Sequence, residues 1–332
     1  MVTVPYDSQT NLPILRVQLP GNHDRVRRCL AGALCVTEQA NANLSNAQKE
    51  LLKLHFRLGH IGFAHLQWMV RHKRVLVRYQ EAVAKCDIRG LKCAACEFGK
   101  ATRRATKTEN SQKVPSKEME IRKDDLFPGQ RLSVDHYHCN EPGRTYQSRG
   151  SKRTNQKYCG GLLATDHASG YISIQHQVTF SAADTIEAKL KIERDAARDG
   201  VIIQGYHSDH GVFDSKEFMK EIASSKQDLR FSAAGAAHSS GCSERGIQHI
   251  TRMARTMMLH AALRSPPDTI TSDLWPMAMD YAVWIWNRIP RRDTGLSPLE
   301  LWTRSVSEIS SCLLYTSPSP RDQRGSRMPS SA

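Results

Sequence analysis

The chain has 332 residues, 39% of them hydrophobic and 24% charged, which is enough apolar content for at least one sizeable core and argues against wholesale disorder. Its 47 Lys and Arg against 33 Asp and Glu leave a net charge of +14, a surplus that suits a polyanionic partner such as nucleic acid or, equally, a solvated basic surface. Nine cysteines, an odd number, with no charged-then-apolar leader argue against a secreted disulfide framework, and no apolar run approaches the roughly 20 residues of a membrane span, so a soluble intracellular protein is expected.

Residues 1–45 sustain no hydrophobic period and read as a linker or the end of an upstream segment. Leu51, Leu54 and Leu58 then recur at helical spacing in SNAQKELLKLHFRLGH, with Asn46 as the expected cap, and FAHLQWMVRH reads as a second helix. With Cys93 and Cys96 behind them, residues 46–102 make an expected compact helical module. The stretch 103–128 is charged, poor in large apolar groups and broken by prolines, which is linker composition. Beyond it, strands are expected at RLSVDHYH, KYCGGLLATD, YISIQHQV, VIIQGYHS and LRFSA. Helices are expected at AADTIEAKLKIERDAARD, SKEFMKEIAS, residues 243–263 and SDLWPMAMDYAVWIWNRIP. Tightly connected strands followed by strand and helix alternation predict an α/β core over 129–305, with a mixed sheet and helices on its faces. The tail 306–332 is rich in Ser, Pro and Arg, and its CLLYTSPSPRD portion resembles translated sequencing-library adaptor, so it is expected to be disordered and non-native and the natural chain to be truncated.

Two sets of residues carry chemistry. His55 and His60, with four residues between them, and the C-x2-C pair Cys93 and Cys96 offer two imidazoles and two thiolates, a closed tetrahedral set that suits structural zinc. Cys86 and His72 are substitute ligands, and the plain alternative is core or surface histidines beside an accidental C-x2-C. Asp135 lies within the first core strand, Asp209 ends a short apolar strand and Glu244 opens the long helix. Carboxylates converging from different elements hold a pair of divalent cations in two-metal sites. Singly, each has an ordinary role as cap, helix-dipole partner or turn residue, and Asp166 competes for the first metal position. On the long helix Gln248, Arg252 and Arg255 follow Glu244 at offsets of 4, 8 and 11 and are candidate DNA contacts. Between the first two core strands a basic run with Arg149, Lys152 and Arg153 is a candidate phosphate grip.

With these motifs in view, LHFRLGH, CAACEFGKATRR, SVDHYH, SDHGVFDSKEF, SSGCSERGIQHITRMART and WNRIPRRDTGLSPLELW together resemble the integrase region of a copia-type long-terminal-repeat retrotransposon Gag-Pol polyprotein, from about Leu51 to Trp302. The resemblance implies a zinc-binding pre-integrase module with ligands at His55, His60, Cys93 and Cys96. It also implies a ribonuclease-H-like catalytic core, five-stranded and flanked by helices, with a catalytic triad at Asp135, Asp209 and Glu244, the last two separated by 34 residues. Implied with it are Zn²⁺ and Mg²⁺ or Mn²⁺ as cofactors and double-stranded DNA, both element ends and target, as substrate. A homo-oligomer on DNA, other Gag-Pol segments as partners, no membrane, and integration in the nucleus after a cytoplasmic stage complete the expectation. His210 departs from the family pattern, where asparagine often follows the second aspartate, as does the loop AAGAAHSSGCSER. The rival expectations are an inactive relic that binds zinc and nucleic acid, and a nuclease on the same core.

Overall fold

The computed structural model describes residues 41–101, 126–146, 156–232, 241–265 and 269–305. The expectations for 1–40, 102–125 and 306–332, and for Arg149, Lys152 and Arg153, lie outside the described residues.

The N-terminal helices are α1 (Asn46–Arg57), α2 (Phe63–Arg71), α3 (Gln80–Lys85) and α4 (Ala94–Gly99). The cap of α1 is Ser45 and not Asn46: the Ser45 hydroxyl accepts from Gln48 N while the Gln48 side chain accepts from Ser45 N, a reciprocal capping box that satisfies two otherwise orphaned amides. Leu51, Leu54 and Leu58, spaced as expected, are fully buried with Leu66, Met69 and Val70 of α2.

The core holds β1 (Leu132–Arg144), β2 (Lys157–Asp166), β3 (Ile172–Gln177), α5 (Ala182–Arg198), β4 (Gly205–Ser208), α6 (Lys216–Ser224), β5 (Asp228–Phe231), α7 (Gly241–Arg264), α8 (Trp275–Arg288) and α9 (Pro298–Thr303). The strands form one sheet in the order β3-β2-β1-β4-β5, antiparallel from β3 to β1 and parallel from β1 to β5. A mixed five-stranded sheet flanked by helices is the arrangement that the resemblance implied, and the mixed sheet with helices on its faces is what the strand pattern predicted.

Two boundaries differ from expectation. β1 continues past His138, through an irregularity of register, to Arg144, because the start of α8 anchors the extension: the Trp275 indole donates to Glu141 O and packs against Gly143. β4 is only its second half, since Val201–Gln204 run beyond the end of the pairing, although Val201 and Ile203 still bury themselves.

Alternation along the strands divides the sheet into two faces. Leu132, Val134, Leu162, Ala164 and Tyr206 face α5 and α6, which contribute Ala188, Ile192, Phe218 and Ile222. On the other face Tyr137, Leu163 and Ile172 meet Ile250 and Met253 of α7 and Met279 and Ile285 of α8. This second cluster continues without a break into Leu51, Leu54, Leu58 and Leu66, so the N-terminal helices and the core share apolar packing.

Close approach of α7 to the sheet depends on Gly246, where an added Cβ would lie 2.8 Å from Thr165 Oγ1 and 3.3 Å from Leu163 Cδ2. Gly246→Val is expected to force α7 outward and to destabilise the fold by about 1–3 kcal/mol, read as a lower thermal midpoint; an unchanged midpoint would contradict the packing described.

Candidate metal centres and the face that joins them

Local backbone brings the two histidines together. After α1, Gly59 and His60 both adopt left-handed φ values of 63°, a conformation costly for a non-glycine residue, and His60 N donates to His55 O at 2.8 Å. The turn folds His60 back over its own helix. Cys93 caps α4 and Cys96 lies in its first turn.

The result is a tight cluster. His60 Nδ1 lies 3.2 Å from His55 Nε2 and 3.4 Å from Cys93 Sγ, and Cys96 Sγ lies 3.3 Å from His55 Nε2 and 3.6 Å from His60 Nδ1. A tetrahedral zinc with bonds of about 2.0 Å to nitrogen and 2.3 Å to sulfur separates its ligands by about 3.3 Å (nitrogen to nitrogen) to 3.8 Å (sulfur to sulfur), so spacing and donor chemistry both fit zinc. All four ligand atoms lie within 4.8 Å of one another, and among the described residues this is the one group of three or more His, Cys, Asp or Glu that does so. The outward nitrogens are held as well: His55 Nδ1 is 2.7 Å from Ile61 O and His60 Nε2 is 2.9 Å from His260 Nδ1. Burial holds the His60 imidazole below its ordinary pKa, hence neutral, and Cys93 and Cys96 share one proton: the hydrogen bond between them lowers the Cys93 thiol and raises that of Cys96, so a metal that takes both sulfurs displaces the proton of Cys96. The substitutes are occupied elsewhere, with Cys86 Sγ against Val83 O and His72 Nδ1 against Trp68 O.

The three acids come from three elements. Ser133 pairs with His207 in the parallel register of β1 and β4, so two residues further on Asp135 lies alongside Asp209, which immediately follows β4. Glu244 sits in the first turn of α7, the helix laid over β1 and β2 by Gly246. Asp135 is half-buried, and burial first, then the charges of Asp209 and Glu244, push its carboxyl up to about 6. None of the three forms an ion pair with a described residue, and carboxylates crowded in this way are what a hard divalent cation would satisfy. The carboxylates are neighbours without forming the compact cluster that the His and Cys ligands do.

Asp166 does not join them. It pairs with Leu132, three residues before Asp135 and on the other face of the sheet, is fully buried, and accepts from Ser169 N and Oγ, both at 2.7 Å, and from Gly129 N at 3.1 Å, so it closes the β2–β3 turn. His210 stacks on Phe231 with centroids 4.7 Å apart and binds Asp214 at 3.2 Å, which ties the segment after Asp209 to β5. Gln248 and Arg252 are exposed on α7, whereas the Arg255 guanidinium donates to Gly99 O at 2.8 Å and Ala101 O at 3.3 Å, a protein contact the sequence did not suggest.

Sequence reasoning also missed a basic row. Ser133, His207 and Arg230 are register partners across β1, β4 and β5 on the face that carries Asp135, and Arg131 precedes Ser133 by two. Arg131 and Arg230 are close enough that each depresses the protonation of His207, after burial, and Arg230 that of Arg131. Ser133 Oγ also meets His167 Nε2 at 2.7 Å. The row lies one strand repeat, about 6.6 Å, from the acids; period-2 alternation of polar residues in YHSD and RLSVD was its only sequence signal.

No protein-family model and no curated protein matches the chain. Similar solved structures include the HTLV-2 integrase catalytic core domain in complex with magnesium, in a trimeric form (19% identity over 53% of this chain and 97% of that one, TM-score 0.38). The catalytic core domain of BIV integrase (14%, 53% and 95%, TM-score 0.38) and a simian T-cell lymphotropic virus intasome in complex with the PP2A regulatory subunit B56 gamma (19%, 53% and 55%, TM-score 0.39) are others. Among the described residues no helix is long and apolar enough to cross a membrane.

Because the Asp135 pKa is raised in the folded state, from 3.8 to about 6, the folded chain holds that proton more tightly than the unfolded one. Its contribution is full below about pH 4 and is lost as pH rises through 6. In magnesium-free buffer Asp135→Asn is therefore expected to be more stable than wild type at pH 7.5, with the gap closing towards pH 4. The ceiling is about 3 kcal/mol, which partial exposure and screening reduce to roughly 1–2 kcal/mol. Equal chemical-denaturation midpoints at pH 7.5 would contradict the charge crowding.

Proposed function

We propose that the protein is a copia-type retrotransposon integrase, a polynucleotidyl transferase that joins the 3′ end of the element's double-stranded DNA to host DNA with Mg²⁺ or Mn²⁺. The observation that carries this reading is the uncompensated meeting of Asp135, Asp209 and Glu244 from two adjacent parallel strands and the helix above them. The His55, His60, Cys93 and Cys96 cluster, geometrically fit for zinc, supports it independently.

Asp135 and Asp209 would hold the magnesium ions between them, and Glu244 would complete the second position. Bound there, the ions supply charge neutralisation at the scissile phosphate and a lowered pKa for the attacking hydroxyl. The protein's own task is alignment: the attacking 3′-oxygen, the phosphorus and the leaving 3′-oxygen must lie in line over the sheet end. One phosphodiester bond forms as another breaks and the proton of the attacking hydroxyl passes to solvent, so no nucleotide cofactor is required. Arg230, in the row one strand repeat from the acids, and Arg131, two repeats before Asp135, are suited to phosphates further along the DNA, with Gln248 and Arg252 exposed on α7. Arg149, Lys152 and Arg153 are proposed as further phosphate contacts on their sequence alone. The element ends and target DNA imply an oligomer on DNA and action in the nucleus, with the chain released from a larger Gag-Pol polyprotein.

Strand transfer of a labelled terminal-repeat oligonucleotide into plasmid is expected from wild type, and Asp209→Asn is expected to reduce it by at least a thousandfold without loss of DNA binding. Joining that survives the substitution would contradict the assignment; cutting without joining would favour a nuclease, and zinc and DNA binding without either would favour a relic. Arg230→Ala is expected to lower the slope of log affinity against log salt by about one; an unchanged slope would remove that residue from the DNA surface.

A further inference from the structure

One face of α7 does two jobs along its length. Near its start Gly246 lies on β2, and further along Met253, Thr256 and His260 lie against the N-terminal helices. The approach is close at two module glycines. At Gly59, beside His60, an added Cβ would lie 2.3 Å from Met253 Cε and 3.0 Å from Ile285 Cδ1. At Gly99, the last residue of α4, it would lie 2.3 Å from Thr256 Oγ1 and 2.7 Å from Thr256 Cα. Arg255 closes the seam by donating to Gly99 O, and His65 Nε2 reaches Pro290 O at 2.8 Å just beyond α8.

At the centre of this seam His260 Nδ1 lies 2.9 Å from His60 Nε2. If His60 Nδ1 takes the metal, its Nε2 must carry the proton and donate to His260 Nδ1. A zinc-bound histidine needs such an acceptor to fix its tautomer and ring plane. Phe56 packs against the His260 ring at 4.3 Å, and His260 Nε2 has no partner among the described residues, so the ring is held by its neighbours and by this one hydrogen bond.

We propose that His260 is a positioning residue for the zinc ligand His60, and that through it zinc occupancy fixes α7, the helix that carries Glu244 some 24 Å away along its axis. The metal module is then a part of the catalytic core of the same chain, and metal loss at one end of α7 loosens the element that completes the carboxylate set at the other. This inference rests on the reading of the His and Cys cluster as a zinc site.

The test uses the full chain, with zinc affinity measured by competition against a chromophoric chelator and backbone exchange of α7 followed with and without zinc. His260→Ala is expected to weaken zinc binding by about 10- to 100-fold, whereas His260→Asn, whose side-chain oxygen replaces the Nδ1 acceptor, stays within about threefold of wild type. Removing zinc from wild type is expected to speed amide exchange in Met253–Arg264 together with the module. Wild-type affinity in His260→Ala, or α7 exchange indifferent to zinc in the unsubstituted protein, would overturn the coupling. A wild-type chain that binds no zinc would instead overturn the metal-site reading beneath it.

Discussion

The site is possible because β1 and β4 run parallel as neighbours in the middle of the sheet. That register sets Asp135 beside Asp209, two like charges on strands about 4.8 Å apart. An arrangement of this kind opposes the stability of the bare fold, as the raised Asp135 pKa indicates, and it persists because the surrounding elements hold it on every side. β2 pairs with β1 along most of its length, α5 and α6 fill the opposite face, and α7 seals the near face over β1 and β2. A divalent cation held there would relieve the repulsion that these contacts enforce.

α7 is the element on which both halves of the chain converge. Its first turn carries Glu244, its glycine permits contact with the sheet, and its last turns receive the module through Arg255 and His260. The apolar cluster continuing from Leu51 and Leu66 to Ile250 and Ile285 makes the seam a core and not a loose domain contact. The small helical unit buries Leu51, Leu54, Leu58, Leu66 and Met69 in a core it shares with α7 and α8, and a metal on its His and Cys cluster would add to that stability.

Much of this was legible in the sequence because the relevant patterns are local. Leucines at helical spacing marked α1, alternating apolar residues marked β1 to β3, and the C-x2-C pair brought two donors together by chain geometry alone. Other features depended on partners distant in the chain. Ser45 and Asn46 are both good caps, and only the reciprocal bond with Gln48 decides between them. Asp166 looks as suitable as Asp135 at the end of a strand, yet antiparallel pairing with Leu132 puts it on the other face of the sheet, where Ser169 and Gly129 use it. Arg255, at a helical offset from Glu244, reaches Gly99 at the end of α4, and His260 meets a residue 200 positions earlier. The row of Ser133, His207 and Arg230 exists only once three strands are in register.

The most direct test of two metal centres on one helix is a crystal of the full chain grown with zinc and manganese, with anomalous difference maps recorded at both absorption edges. The account predicts one zinc peak within about 2.0–2.3 Å of the His55, His60, Cys93 and Cys96 ligand atoms, and manganese density between Asp135 and Asp209 within reach of Glu244. Manganese bound elsewhere, or absent from those carboxylates while zinc fills its cluster, would contradict it.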